Sequence, residues 1–193
     1  WNHLARWAAN SDHMIEQAVK NGDANSEAIA LTMRALFVSN WTDIYGDIPF
    51  SEAFQGRNNV LKPKFDTQKE VYTQLFADLE RANSLYDPSR ALRYPNKDLM
   101  YKGDIAKWRK FTNSLHMRLL MRLQNRDAEM GVSEKLREIV SNPSRYPVMA
   151  SNADNAALFY TNVDPFIGHF GTTTLQSFTS NSHRMAEHLV NLM

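Results

Sequence analysis

The stretch "NWTDIYGDIPFSEAFQG", residues 40–56, ends one helical pattern and separates it from the next. Before it, apolar side chains recur every three or four residues, a spacing that gives a helix one apolar face. Gly46 suits the left-handed conformation found just after a helix, and Pro49 cannot continue a helix because it has no backbone N–H. The stretch therefore predicts a helix end near Tyr45, followed by a long loop.

Two helices are predicted on the N-terminal side of this loop. Residues 1–20 show helical spacing of apolar side chains and are followed by the stop signal Asn21-Gly22. The helix that contains Trp41 is predicted to begin near Asn25 or Ser26. The short polar turn between the two predicts an antiparallel helical hairpin.

Three more helices are predicted on the C-terminal side. The segment Thr67–Glu70 is a capping box that opens a helix running to about Tyr86. Asp104 is predicted to cap a fourth helix that extends through Leu123. Ser133 is predicted to cap a shorter fifth helix, which the pair Asn142-Pro143 ends.

This pattern predicts a mainly all-α fold of irregular, tetratricopeptide-like helical hairpins with long loops. We expect one domain over residues 1–193, with a helical core at 1–142, a loop-rich segment with one or two short strands at 143–181, and a terminal helix at 182–193. The connections 46–66 and 143–181 are longer than the usual loop of about 4 to 6 residues. Long loops on a helical scaffold tend to carry function.

The composition of the chain excludes several kinds of functional site and several classes of protein. The sequence has no cysteine, which excludes disulfides, thiolate zinc sites and cysteine nucleophiles. The sequence contains no run of 18 apolar residues, the approximate length that a bilayer-spanning helix needs. The chain begins at Trp1 without a targeting segment, and its last helix has no stop signal, so we expect it to be a fragment of a longer protein.

Two groups of titratable residues invite a catalytic or metal hypothesis. Asp43 and Asp47 bracket Tyr45 and could serve a glycosidase, although the helix-stop interpretation of the same residues is stronger. His183, Glu187 and His188 lie close together in a predicted helix, but their spacing matches neither H-E-x-x-H nor H-x-x-E-H. We therefore predict no enzyme activity and no metal site.

The segment 90–126 is rich in Lys and Arg, and Arg118, Arg122 and Arg126 form a stripe at helical spacing. A nucleic-acid face usually comes with a higher pI than the 8.2 of this chain. The neighbouring leucines indicate that the arginine stems flank a buried face and carry their charge to water. We predict no nucleic-acid partner, and no phosphate-loop or dinucleotide motif indicates a cofactor.

Aromatic and amide side chains are concentrated in the two long loops. Rings of this kind can stack against the apolar faces of sugars, and amides can bind sugar hydroxyls; the alternative is that the rings fill the core beneath the loops. The candidate substrate-binding residues are Trp41, Tyr45, Phe50, Tyr160, Asn162, Phe166 and Phe170.

Three motifs in order give the chain a family resemblance: "YGDIPFSEAFQG" at 45–56, "PKFDTQKEVYTQLFADLERANSLYD" at 63–87 and "YKGDIAKWRKFTNSLHMRLLMRL" at 101–123. Together they resemble the SusD/RagB family of outer-membrane nutrient-binding lipoproteins, and in particular its SusD-like, starch-binding-associated branch. The resemblance implies a SusD-like α-α superhelix and a chain more than twice this long.

The resemblance also implies a function and a location. It implies a non-enzymatic protein on the outer, cell-surface side of the outer membrane of Bacteroidota-type bacteria. Such a protein captures glycans or other oligomeric nutrients and delivers them to a SusC-like TonB-dependent transporter. It implies membrane association through a lipidated N-terminal Cys that is not present in this sequence. The alternative, a helical protein–protein interaction scaffold without small-ligand binding, stays open.

Overall fold

The computed structural model describes residues 1–159, of which Trp1–Ala156 form one compact unit. This unit is mainly helical, as the sequence predicts. Its α-helices are α1 Asn2–Asn21, α2 Ala24–Tyr45, α3 Gln68–Leu85, α4 Ile105–Arg122, α5 Asp127–Met130 and α6 Val132–Ser141. Short 3-10 turns at Gly56–Asn58, Pro95–Lys97, Gln124–Arg126 and Asn152–Asp154 interrupt the connections.

The first hairpin forms as predicted. Gly22 takes the left-handed conformation at the end of α1, with a φ of 64°. The Asp23 carboxylate then accepts a hydrogen bond from the Ser26 N–H at 3.0 Å, so α2 begins at Ala24, slightly earlier than expected. A carboxylate at this position satisfies an amide that the helix itself leaves unpaired.

The caps of α3 and α4 are confirmed, and that of α6 is not. Thr67 and Glu70 form the predicted capping box, and Asp104 accepts from the Lys107 N–H at 3.0 Å. The prediction that Ser133 caps the fifth helix is wrong. Ser133 lies inside the first turn of α6 and donates its hydroxyl and its N–H to Asp127, which belongs to the unpredicted short helix α5.

Helix α2 occupies the centre of the unit and packs against α1, α3 and α4. Trp41, Leu75 and Leu119 are among the buried side chains of the largest apolar cluster. In a second cluster around Trp108, three hydroxyls form a buried hydrogen-bonded group that joins α2, α4 and the residue after α3: Thr32, Tyr86 and Thr112. Each polar atom of this group therefore has a partner inside the core.

The third motif builds the connection between α3 and α4. Asp98 accepts hydrogen bonds from the backbone N–H groups of Met100, Tyr101 and Gly103 and from the indole N–H of Trp108, over 2.8–3.1 Å. These bonds lower the pKa of Asp98, although burial alone would raise it. The carboxylate thus fixes the path of the chain into α4.

Helix α4 also holds the segment that follows α6. The Asn113 side chain donates to the Pro147 carbonyl at 3.0 Å, and the Lys110 amine lies 2.9 Å from the Asp154 carboxylate. This segment is irregular apart from one 3-10 turn, in agreement with the loop predicted from residue 143. The rest of that loop, its predicted strands and the helix predicted at 182–193 lie outside the described residues, and the single-domain expectation stays a prediction.

Within residues 1–159, no helix combines the length and the apolar character that crossing a bilayer requires.

Candidate functional site

The long loop after α2 is closed by Asp66, the last residue before the α3 cap. Backbone hydrogen bonds pair Asp66 with Ile48 in both directions, at 2.9 and 3.2 Å. Its buried carboxylate accepts from the Phe50 N–H at 3.1 Å and from the N–H and hydroxyl of Ser51 at 2.6 and 2.8 Å. These bonds and the nearby Lys64 outweigh burial and lower the pKa of Asp66.

A second set of bonds ties the start of the loop to the start of α3. Gln68 donates its N–H to the Asp47 carboxylate at 3.0 Å and its side-chain amide to the Thr42 carbonyl at 2.9 Å. Gly46 has a φ of 74° and a ψ of −121°, so it has the predicted positive φ but lies outside the left-handed helical region. The first two sequence motifs therefore hold each other in place.

This closed loop forms one wall of a cleft of about 810 Å³, a volume within the usual range of small-ligand pockets. Helix α1 supplies Ala9, Asp12, His13 and Glu16, and α2 supplies Arg34. The remaining lining residues come mainly from the loop and from α3: Phe50, Ser51, Ala53, Phe54, Gln55, Asn58, Lys64, Asp66, Glu70 and Gln74.

The charges of the cleft are largely paired with one another. Arg34 bridges Asp12 of α1 and Asp78 of α3, with 2.8 Å between its guanidinium and Asp78. Burial raises the pKa of Asp78, and Arg34 offsets this only in part. On the loop side, the Lys64 amine lies 3.1 Å from the Asp66 carboxylate. Four carboxylates and only two paired cations line the cleft, so its charges disfavour an anionic ligand.

Two phenylalanines line the cleft in different ways. Phe50 is nearly buried, with the Arg34 guanidinium 5.7 Å from its ring centroid. Phe54 is 43% exposed and has a φ of 61°, a backbone conformation that aromatic residues rarely adopt. Beside it, the amide side chains of Gln55 and Asn58 also line the cleft. An exposed ring flanked by amides can bind a ligand that has both apolar and hydroxyl-bearing faces.

Trp41 is the predicted site residue that the structure supports least. Its side chain is only 1% exposed and belongs to the main core cluster. The Trp1 ring packs edge-on against it, with centroids 5.0 Å apart. A ring that stacks on a ligand must have at least one face open to solvent. The burial of Trp41 therefore argues against direct contact with a ligand.

The other predicted contacts divide by location. Tyr45 is 45% exposed at the end of α2, away from the cleft lining, and Phe50 lies in the cleft wall. Their role in binding stays a prediction. The remaining four lie outside the described residues: Tyr160, Asn162, Phe166 and Phe170. The cleft residues Phe54, Gln55, Asn58 and Arg34 were not among the predicted contacts.

Sequence signals for these residues were weak. Phe54 was visible as one of several aromatics in the first loop, but nothing in the sequence indicates that its ring is exposed or its φ positive. The position of Arg34 in the cleft depends on how α1 and α3 pack around α2. Those contacts join residues 22 and 44 positions apart.

The carboxylate pair proposed as a catalytic alternative has structural partners instead. Asp43 accepts from the Tyr72 hydroxyl at 2.7 Å and pairs with Arg122 at 2.7 Å. Burial raises the pKa of Tyr72, and the neighbouring Asp43 adds to this effect. Asp47 holds the first N–H of α3. Both carboxylates therefore stabilise the junction between α2, α3 and α4.

The arginine stripe lies within the described residues, whereas the residues of the metal hypothesis do not. Arg122 makes the ion pair with Asp43 described above, so one member of the stripe has a structural role. Among residues 1–159, no three His, Cys, Asp or Glu side chains come together as a metal site would require. His183, Glu187 and His188 lie outside the described residues.

Solved structures similar to this chain are SusD homologues. A SusD/RagB family protein from Bacteroides thetaiotaomicron is 29% identical, with a TM-score of 0.73 over 92% of this chain and 36% of its own. A SusD homologue from Bacteroides fragilis is 27% identical, with a TM-score of 0.71 over 82% of this chain and 33% of its own.

A chitin-binding SusD homologue from Flavobacterium johnsoniae is 28% identical, with a TM-score of 0.61 over 71% of this chain and 29% of its own. The chain thus spans about a third of the length of these structures. A comparison with curated proteins finds no match. The family model described as "Starch-binding associating with outer membrane" matches residues 1–193. The chain belongs to this SusD-like family of starch-binding, outer-membrane-associated proteins.

Proposed function

We propose that the protein containing this chain binds a glycan or another oligomeric nutrient at the cell surface and delivers it to a SusC-like TonB-dependent transporter. The observation that carries this proposal is the family match over all 193 residues. The chitin-binding homologue supports a glycan as the ligand. A lipid anchor N-terminal to this sequence holds the protein at the outer membrane.

The protein acts by binding, without making or breaking a covalent bond. The cleft beside Phe54 supports this role because it joins an exposed ring to amide side chains in a volume that suits a small oligomer. The carboxylates first considered as a catalytic pair, Asp43 and Asp47, are occupied in holding helix ends. Stacking and hydrogen bonds retain the ligand until the transporter takes it up.

Isothermal titration calorimetry of the full-length protein tests the binding step. The panel comprises maltoheptaose, chitohexaose, other neutral and acidic glycans, and short peptides. We expect saturable binding of at least one class. An absence of binding across the whole panel contradicts the proposal.

Co-expression with its transporter tests the delivery step. We expect the two proteins to purify together, and addition of the ligand identified by calorimetry to leave the complex intact. Co-purification without any ligand binding favours the alternative, in which the helical hairpins serve only as a protein-interaction scaffold.

A further inference from the structure

The backbone of Phe54 is strained. Its φ of 61° lies in the left-handed region, which a residue with a Cβ adopts only at a cost in free energy. Strain of this kind persists where the surrounding structure imposes it, and it is found preferentially at ligand-binding positions. The Phe54 side chain is not part of a core cluster of the described residues and is 43% exposed. Core packing therefore does not account for the strained conformation.

The loop around Phe54 is held rigidly enough to present the ring in one place. The Asp66 carboxylate fixes Phe50 and Ser51 on one side. On the other side, Gln55 accepts at its carbonyl from the N–H groups of Asn58 and Val60, at 2.8 and 3.2 Å. A ring that is already positioned loses little conformational entropy when a ligand stacks on it.

The polar groups of the cleft favour a ligand that carries hydroxyl groups over an anionic one. Arg34 is paired with two carboxylates, and Lys64 is paired with Asp66. Glu70 accepts from Thr67 within the helix cap. An anionic ligand would face the four carboxylates of the lining and would have to break one of these pairs to reach a cation, whereas sugar hydroxyls can both donate to and accept from the amides at the rim.

We propose that this cleft is a subsite for a neutral oligosaccharide. Phe54 is its stacking platform, and the side-chain amides of Gln55 and Asn58 bind the hydroxyls. This inference rests on the proposed function and names the ligand class and the residues that bind it. It places the contacts in the first long loop, on residues other than the predicted Trp41 and Tyr45.

Calorimetry of full-length variants with maltoheptaose and chitohexaose tests the subsite. Phe54→Ala and Phe54→Gly should each weaken binding by about tenfold, because both remove the ring. Asn58→Ala should weaken binding by about fivefold. Phe65→Ala is the matched control: its ring belongs to the same loop and is 63% exposed, but it does not line the cleft, so binding should not change.

The outcomes separate this inference from the proposed function. If the wild-type protein binds a glycan and both Phe54 variants bind it equally well, the subsite is wrong and the proposed function stands. If the wild-type protein binds peptides but no glycan, the subsite is wrong and the proposed function again stands; if it binds no member of the whole panel, both are wrong.

Accessibility in the full-length protein provides an independent check. A Phe54→Cys variant should react with a maleimide in the absence of ligand and should be protected by the glycan that binds. A thiol that stays unreactive without ligand shows that another part of the protein fills the cleft, which overturns the subsite.

Discussion

The loops at residues 46–66 and 86–104 use the same device to different ends. In each, one buried or partly buried aspartate, Asp66 or Asp98, accepts several hydrogen bonds from the backbone and fixes the path into the next helix. The Asp98 loop uses its fourth bond to hold Trp108 in the core. The Asp66 loop instead leaves the exposed ring of Phe54 over a cleft.

This difference shows how family motifs can be structural while one loop still serves binding. Asp66 in the second motif and Asp98 just before the third orient the backbone, and neither needs to touch a ligand for its loop to be specified. Of the residues proposed to touch a ligand, Phe54 and Gln55 lie within the first motif, and Asn58 follows it. We therefore expect substitution of either aspartate to lower the stability of the fold by a similar amount. The two substitutions should differ in their effect on ligand affinity.

Removal of the two carboxylates should have the largest effects on stability. Asp98→Ala leaves four donors unpaired, one of them the Trp108 indole, and should lower the free energy of unfolding by about 4 kcal/mol. Asp66→Ala leaves three donors unpaired and should cost about 3 kcal/mol. Urea denaturation measures both, with Asp23→Ala, a helix-cap deletion worth about 1 kcal/mol, as control.

Ligand affinity then separates the two loops. Under conditions where each variant is folded, Asp66→Ala should weaken glycan binding because the Phe54 segment loses its anchor, and Asp98→Ala should not. Equal loss of binding in both variants contradicts the division of roles between the loops.

The pH dependence of stability distinguishes the contribution of the two aspartates from that of the buried His116. His116 is 1% exposed, and its burial lowers its pKa to about 4 from the ordinary 6.5, with Glu80 opposing and Lys135 reinforcing the shift. The unfolded chain therefore binds this proton first as the pH falls. Stability from neutral His116 is complete above pH 6.5 and declines toward pH 4, by at most roughly 3 kcal/mol.

The two aspartates affect stability at lower pH values than His116 does. The pKa values of Asp66 and Asp98 are lowered from 3.8, so their contribution is present above that pH and is lost as the pH falls below it. Urea denaturation between pH 7 and pH 3 should show two separate declines. His116→Gln should flatten only the upper one. A single decline below pH 4 contradicts the role of His116.

Substitution of Gly46 or Gly103, one glycine in each loop, should also lower the free energy of unfolding. Gly103 has a φ of 88°, and an added Cβ would lie 2.7 Å from the Pro95 Cβ, so Gly103→Ala combines backbone strain with a steric clash. Gly46 has a φ of 74° with no atom within 4 Å of an added Cβ, so Gly46→Ala meets strain alone. We expect losses of about 3 and about 2 kcal/mol in urea denaturation. A larger loss at Gly46 contradicts the clash at Gly103.

The sequence predicted the parts of this fold that depend on local chemistry. The Thr67–Glu70 capping box, the Gly22 stop and the Asp104 cap are encoded by residues at most four positions from the atoms they pair, and all three were confirmed. Ser133 was assigned wrongly because its true partner, Asp127, belongs to a short helix that the pattern does not reveal.

The candidate site was harder to predict because its determinants are distant in sequence. Trp41 looked like a loop-proximal aromatic, yet α1 and α3 bury it. Nothing in the sequence placed Arg34 in the cleft, because its partner Asp78 lies 44 positions away. The exposure of Phe54 depends on the path that Asp66 imposes on the loop, and a single sequence carries no direct signal for that path.

The smallest predicted effect concerns backbone strain, which both loops contain at a residue other than glycine. Phe54 has a φ of 61° and Lys102 one of 55°. Because Gly tolerates positive φ and Ala does not, Phe54→Gly should be more stable than Phe54→Ala, and Lys102→Gly more stable than Lys102→Ala, each by about 1 kcal/mol. The Ala–Gly comparison removes the side chain in both members, so thermal denaturation reports the backbone alone.

Glycan affinity should fall in both Phe54 variants and stay unchanged in both Lys102 variants, because only the strain at Phe54 positions a ring over the cleft. Equal stability of Ala and Gly at position 54 would show that the loop relaxes out of the strained conformation once the ring is gone.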